Sequence, residues 1–321
     1  MTLSDRAFPR RRVSLPHNLG DVVFRGWTWL MAATLLAVIG LLAYELFAGS
    51  RQGLSQFGLH FLLGQTWNPV SQNFGALPAI YGTVVSSLLA LAIAGPLGLL
   101  AAIYLAELAP AWLEAPLSFL IELLASIPSV VYGLWGLYVL IPFLRDPVQT
   151  GLHNSLGFLP AFSCAPLGLG MMAAVAILAI MILPYTVAVA RDVLRAVPDD
   201  QREAMLALGA TRWETIWRVV VPYARSGIIG GLMLSLGRAV GETMAVTMVI
   251  GNRPDISACL FNPAYTLASV IANEFSEATY GLYVSALVEL GLVLFGITLI
   301  LNALARLLVW RMNRRPARRQ A

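Results

Sequence analysis

Between Trp27 and Val309 the sequence returns six times to an apolar stretch of at least about 20 residues, the length a helix needs to cross a bilayer. The stretches run over 27–48, 80–106, 116–143, 168–190, 226–250 and 282–309. Continuous apolarity without strict alternation selects helices over a barrel, because in lipid each backbone N–H and C=O must be satisfied inside its own segment. Charged residues make up 12% of the chain, against about 25% in an ordinary soluble domain. The expected protein is all-α, with six transmembrane helices. The first stretch follows "RRR" (10–12) and has no small-residue cleavage site directly after it, so it reads as a retained span rather than a signal peptide. Pro96, Pro128 and Pro184 lie inside spans two to four and predict kinks, since each removes a backbone donor.

The 21 basic residues are all arginine. A P-loop needs a lysine to reach the nucleotide phosphates, so no Walker-type site is expected. Net charge +4 would suit nucleic acid, but the arginines cluster beside the spans and read as topology signals and lipid-headgroup contacts. Five stand in the N-terminal segment, six between 191 and 225, and six from Arg306 onward, against Arg51, Arg145 and Arg253 on the other side. The positive-inside rule then places both termini and the 191–225 loop in the cytoplasm. The expected organisation is a cytoplasmic segment 1–26, a membrane domain 27–309 and a basic cytoplasmic tail 310–321. Cys164 and Cys259 fall in connections on the opposite side, where an oxidising compartment permits a disulfide, although two unpaired small residues is the reading put first. His17, His60 and His153 are scattered, and no metal site is assigned.

The loop between spans four and five carries helix punctuation. "VPDDQREAMLALGA" offers Asp199 or Asp200 as an N-cap, Glu203 after it, and Gly209 as a left-handed stop. "TRWETIWRVVVP" then gives Thr211 and Glu214 at capping-box spacing, with Pro222 expected to end or kink a second short helix. From composition the hairpin either lies on the membrane surface or offers Ala204, Met205, Ala207 and Leu208 to a groove on another protein.

In span five, "SLGRAVGETMAV" (235–246) sets Arg238 and Glu242 four residues apart, on one face of a continuous helix. A central arginine costs about 2.5–3.5 kcal/mol on insertion scales, and apolar replacements of buried pairs are often as stable. Such a pair therefore points to a substrate path. The guanidinium fork fits phosphate or carboxylate, Gly237 and Gly241 beside it leave room for a tetrahedral ion, and Thr243 is a further candidate on the path. Glu242 would hold Arg238 between occupants, or accept the proton that hydrogen phosphate carries and sulfate lacks. Gly237 and Gly241 also form a GxxxG, which by itself signals close helix packing. Glu122, Ser126, Ser129 and Tyr132 surround the Pro128 kink and either make helix–helix hydrogen bonds, the reading put first, or line the path. Glu289 and Glu45 are weaker cases of the same kind.

The loop "EAMLALGATRWETIWRVVVP" resembles the EAA motif of ABC-importer permeases through Glu203, Ala204, Met205, Gly209, Val219, Val221 and Pro222. Methionine replaces the third alanine, and valines replace isoleucine and leucine. The stretches "GRAVGETMAVTMVIGN" (237–252), "SIPSVVYGLWGLYVL" (126–140) and "YGTVVSSLLALAIAGPLGLLAAIYLAE" (81–107) resemble the PstC-type permeases of bacterial phosphate importers. The resemblance covers most of residues 60–310. It implies a type I ABC importer (MetI-like) permease fold with a cytoplasmic coupling loop (198–222) that docks on an ATP-binding subunit. It also implies that Arg238 and Glu242 serve phosphate passage in a multi-pass protein of the bacterial inner membrane. The implied partners are a PstA-like permease, a dimeric ATPase carrying ATP and Mg²⁺, and an external phosphate-binding protein; this chain itself would bind no cofactor and catalyse no reaction. The alternatives are a PstA-like or other oxyanion permease (sulfate or molybdate), an ion-gradient-driven anion transporter, and a membrane enzyme acting on phosphorylated lipid.

Overall fold

The computed structural model describes residues 19–313; Arg6, the 10–12 arginines, His17 and the arginines from 314 onward lie outside them. The chain divides into two compact units, Met1–Glu45 and Leu46–Ala321. Helix α1 covers Leu19–Gly49 and so starts before the predicted Trp27. Two short helices follow, α2 (Arg51–Phe57) and α3 (His60–Leu63), then a two-stranded hairpin, β1 (Trp67–Asn68) and β2 (Asn73–Phe74). Next come α4 (Leu77–Leu108), α5 (Ala111–Ser126), α6 (Ser129–Leu156) and α7 (Met171–Arg195). The short α8 (Asp199–Ala207) leads to α9 (Arg212–Val240), α10 (Met244–Val249), α11 (Leu267–Glu274) and α12 (Gly281–Asn313).

Five helices are long and apolar enough to cross a membrane, and the α5–α6 pair makes a sixth crossing if counted as one span. That pair corrects the expectation of a kinked third span, because its halves meet at 91°. Pro128 has no N–H and disfavours helical geometry at the preceding residue; Ile127 accordingly sits extended at φ −64°, ψ 130°. Pro96 and Pro184 stay inside α4 and α7 as expected.

Small residues every fourth position hold the centre together. Ser86, Ala90, Ala94, Gly98 and Ala102 are all buried on α4, the helix that packs most extensively on α7. On α9, Gly227 and Gly231 sit against Val193 and Val189 of α7. At Gly237, in contrast, a Cβ would meet nothing within 4 Å, and at Gly241 only Gly237 O at 3.6 Å, so the predicted packing motif is displaced by two to three turns within this chain. Gly231→Leu is thus expected to lower the thermal midpoint through overpacking, by roughly 1–3 kcal/mol, since even a Cβ there meets Val189 Cγ1 at 2.7 Å. Gly237→Leu should leave that midpoint unchanged, as read by thermal scans of the detergent-solubilised chain.

The loops 157–170 and 251–266 are tied to each other at one end of the bundle. Met171 N–H donates to Asn262 O (3.0 Å), Met172 N–H to Leu260 O (2.7 Å) and Gly170 N–H to Val249 O (3.0 Å). Cys164 and Cys259 meet there as a disulfide, with Cα atoms 6.3 Å apart. At the same end, Glu274 accepts hydrogen bonds from Trp67 Nε1 (2.6 Å), Tyr283 Oη (2.7 Å) and Tyr265 Oη (3.2 Å), which fixes the β-hairpin against α11 and α12.

Candidate functional site

The fifth predicted span is interrupted where its charges lie. α9 ends at Val240 with Gly241 as its C-cap, and α10 begins at Met244. Glu242 stands in the gap, and its Oε1 accepts a hydrogen bond from Ala245 N–H at 3.3 Å, which caps the first turn of α10. The expected Arg238–Glu242 pair is absent: no hydrogen bond or ion pair joins them among the described residues. The i, i+4 geometry behind that expectation requires a continuous helix, and Gly241 ends it. Arg238 is exposed in the single chain and carries no hydrogen bond or ion pair among the described residues.

The break after α5 faces the break after α9. Gly133, in the first turn of α6, would bring a Cβ within 3.1 Å of Ala245 Cα and 3.4 Å of Met244 O. Tyr132, next to it, lies within electrostatic range of Arg238. Its hydroxyl donates to Leu124 O at 2.9 Å, across the right-angled turn. Two helix interruptions thus bring Arg238, Glu242, Thr243 and Tyr132 into one region, beside the open faces of Gly237 and Gly241. Ser126 donates to Leu123 O (2.7 Å) and Thr243 to Gly241 O (3.3 Å); Ser129 borders the same turn.

Glu122 does not belong to this group. It pairs with Arg191 of α7 at 3.2 Å, the kind of helix–helix bond put first for it, and is one rung of a longer ladder that the sequence alone does not show. Glu114 pairs with Arg195, and Glu107 with Arg202 of α8 at 2.8 Å. Arg202 also donates to Leu194 O (2.9 Å) and to Val197 O. In the sequence these arginines read as topology signals; the signal for the ladder is the seven- to eight-residue spacing of Glu107, Glu114 and Glu122.

The ladder fixes the base of the α8 hairpin and leaves its tip free. Pro198, not an aspartate, is the N-cap of α8, with Asp199 and Asp200 in the first turn. Gly209 adopts φ +84°, the left-handed stop expected. Thr211 and Glu214 form the capping box. No short second helix ends at Pro222; α9 runs on to Val240. A π-helical stretch, Ile216–Val220, precedes the proline and accommodates the ladder bond that its ring cannot make. Glu203, Ala204, Leu206, Leu208, Gly209 and Trp213 are exposed around the tip, and Met205 is half-buried.

Residues 94–314 match the family model described as "Binding-protein-dependent transport system inner membrane component". The chain is 49% identical over 301 residues to the phosphate transport system permease protein PstC of Mesorhizobium japonicum, covering 92% of each chain. It is 45% identical over 309 residues to the protein of the same name from Pasteurella multocida, covering 95% of this chain and 96% of that one. Among solved structures, it is similar in fold to a chain of a bacterial alginate ABC transporter solved with an alginate-loaded periplasmic protein. There the TM-score is 0.60 at 18% identity, covering 92% of this chain and 98% of that one.

Proposed function

Since this chain belongs to the PstC-type phosphate permeases, within the family of binding-protein-dependent transport system inner membrane components, we propose that it forms one half of a phosphate path, a PstA-like permease supplying the other. The chain is a multi-pass membrane transport subunit with an ABC-importer permease fold. In the proposed complex a dimeric ATP-binding subunit holds ATP and Mg²⁺, and an external phosphate-binding protein delivers the ion. Both termini and α8 then face the cytoplasm, and α8 docks on the ATPase.

The observation that supports this most is the state of Arg238. A guanidinium in a membrane span, exposed and without a partner, at the meeting of two helix breaks, is an incomplete anion site. A second subunit would enclose it, and open glycine surface would let a tetrahedral ion approach. Binding there has to be transient, because a tightly held ion would not leave. Reconstitution of the four components tests the reading: phosphate accumulation should require both ATP and the loaded binding protein. Accumulation driven by an ion gradient without ATP would overturn it.

Glu242 is assigned the choice between oxyanions. With Oε1 engaged by Ala245, its second oxygen is available to accept the proton of hydrogen phosphate. Glu242→Gln, which turns half of that acceptor into a donor, is expected to narrow phosphate-over-sulfate selectivity by about tenfold, one hydrogen bond to a charged group being worth about 1.5 kcal/mol. Unchanged competition by sulfate in uptake assays would remove the residue from this role.

A further inference from the structure

A groove of about 580 Å³ opens between α2–α3, the first turn of α4, and α12. Leu54, Leu59, Leu62, Ile80, Ile297 and Ile300 form much of its wall. The one acidic residue in that wall is Glu289 of α12, which is 2% exposed and whose Oε2 has no hydrogen-bond partner. The nearest polar groups are committed elsewhere: Gly53 N–H donates to Ser285 Oγ (3.0 Å), which itself donates to Gly49 O (2.8 Å). A Cβ at Gly53 would collide with Glu289 Oε2, so the carboxyl is pressed against bare backbone of α2. Leaving a buried acceptor unsatisfied costs roughly 1–3 kcal/mol, and more if the group is ionised. A donor from outside the chain would remove that cost.

The position of α2 and α3 says what such a donor is. Their sequence, "RQGLSQFGLHFLL", exposes Leu59 (80%) and Leu63 beside Arg51, Gln52, Gln56 and His60. That composition suits a segment lying in the plane of the membrane interface. Contact with Gly53 therefore puts Glu289 at the boundary between headgroups and acyl chains, in the leaflet away from α8. Arg51 is exposed and shares a face of α2 with Leu54, which lines the groove.

We propose that this groove is a binding site for a phospholipid with an ammonium headgroup. The ammonium donates to Glu289 and compensates its charge, Arg51 faces the phosphodiester, and an acyl chain lies along Ile297 and Ile300. A cationic donor is favoured over a neutral one because a buried carboxylate needs both hydrogen bonding and charge compensation.

The test is lipid retention by the full complex, purified from vesicles of phosphatidylethanolamine and phosphatidylglycerol in equal amounts and analysed by native mass spectrometry. Phosphatidylethanolamine should be retained about tenfold over phosphatidylglycerol, and Glu289→Gln should abolish that preference. Gly296→Phe is the second variant: Gly296 lines the groove and a Cβ there meets nothing within 4 Å, so a ring introduced at this position takes up groove space. It should remove the bound lipid with the complex still assembled. Equal retention of the two lipids by the wild type, a preference unchanged in both variants, or a groove occupied by a protein segment would each overturn the proposal. The readout is independent of transport.

Discussion

Replacing Arg238 with glutamine is expected to cut ATP-driven phosphate uptake at least 100-fold while assembly and thermal midpoint of the complex stay unchanged. The two halves of that expectation have separate causes. Among the described residues Arg238 makes no hydrogen bond and no ion pair, so its replacement removes no contact seen to hold the fold, and such changes usually stay within about 0.5 kcal/mol. In the path, a guanidinium fork would offer an oxyanion two charge-assisted hydrogen bonds, each worth about 1.5–3 kcal/mol. Losing both, about 3 kcal/mol at the least, corresponds to two orders of magnitude in rate at about 1.4 kcal/mol per factor of ten. Arg238→Lys keeps the charge and loses the fork, so it should fall between, about tenfold below wild type. Normal uptake by an assembled Arg238→Gln complex would sink the central claim.

The second large effect is expected at the other end of the molecule. Leu208→Asp should weaken association with the ATP-binding subunit about 30-fold and reduce coupled ATPase activity in step, the loss of one apolar anchor being worth about 2 kcal/mol. Leu208 is 83% exposed, so the substitution has no packing to disturb in the chain itself. Gly209→Val reaches the same outcome by a different route. A Cβ at Gly209 meets nothing within 4 Å, but φ is +84°, and a branched side chain there carries about 1–2 kcal/mol of strain. The turn would relax and redirect α8. Pull-down of the ATP-binding subunit by each variant is the measurement; undiminished capture by both would separate α8 from coupling.

Much of this architecture was legible in the linear sequence, and the exceptions share a cause. Hydropathy located every long helix, because lipid forces helical hydrogen bonding and span length together. It is blind to breaks: Gly241 and Pro128 each leave the average apolarity of their stretch untouched. The pairing of Arg238 with Glu242 followed from assuming an unbroken helix, and it disappears with the break at 241–243. The resemblance around Arg238 did not depend on that assumption, so the residues could be singled out although their mutual geometry could not. The carboxylate ladder was hidden for another reason. Glu107 and Arg202 are far apart in sequence, and only the packing of α4 and α5 on α7 brings such partners together. The capping box at Thr211 and Glu214 was readable because its determinants lie three residues apart.

Anchored at its base by Arg202 and joined at its far end through Gly209 to the start of α9, α8 is a lever arm with an exposed tip. Arg202 is its fulcrum, bonded at once to Glu107 at the end of α4 and to Leu194 O at the end of α7. Leu208 is six positions further on, roughly 9 Å along the axis at 1.5 Å per residue. If α8 docks on the ATP-binding subunit as proposed, a load at Leu208 would reach α4 and α7 as a torque rather than a push. Those two helices pack along their length through the small-residue stripe of α4, so a rotation of one would carry the other. The stroke of the machine would then scale with the length of this arm, and inserting one helical turn into α8 would change the gearing before it changed any contact with phosphate.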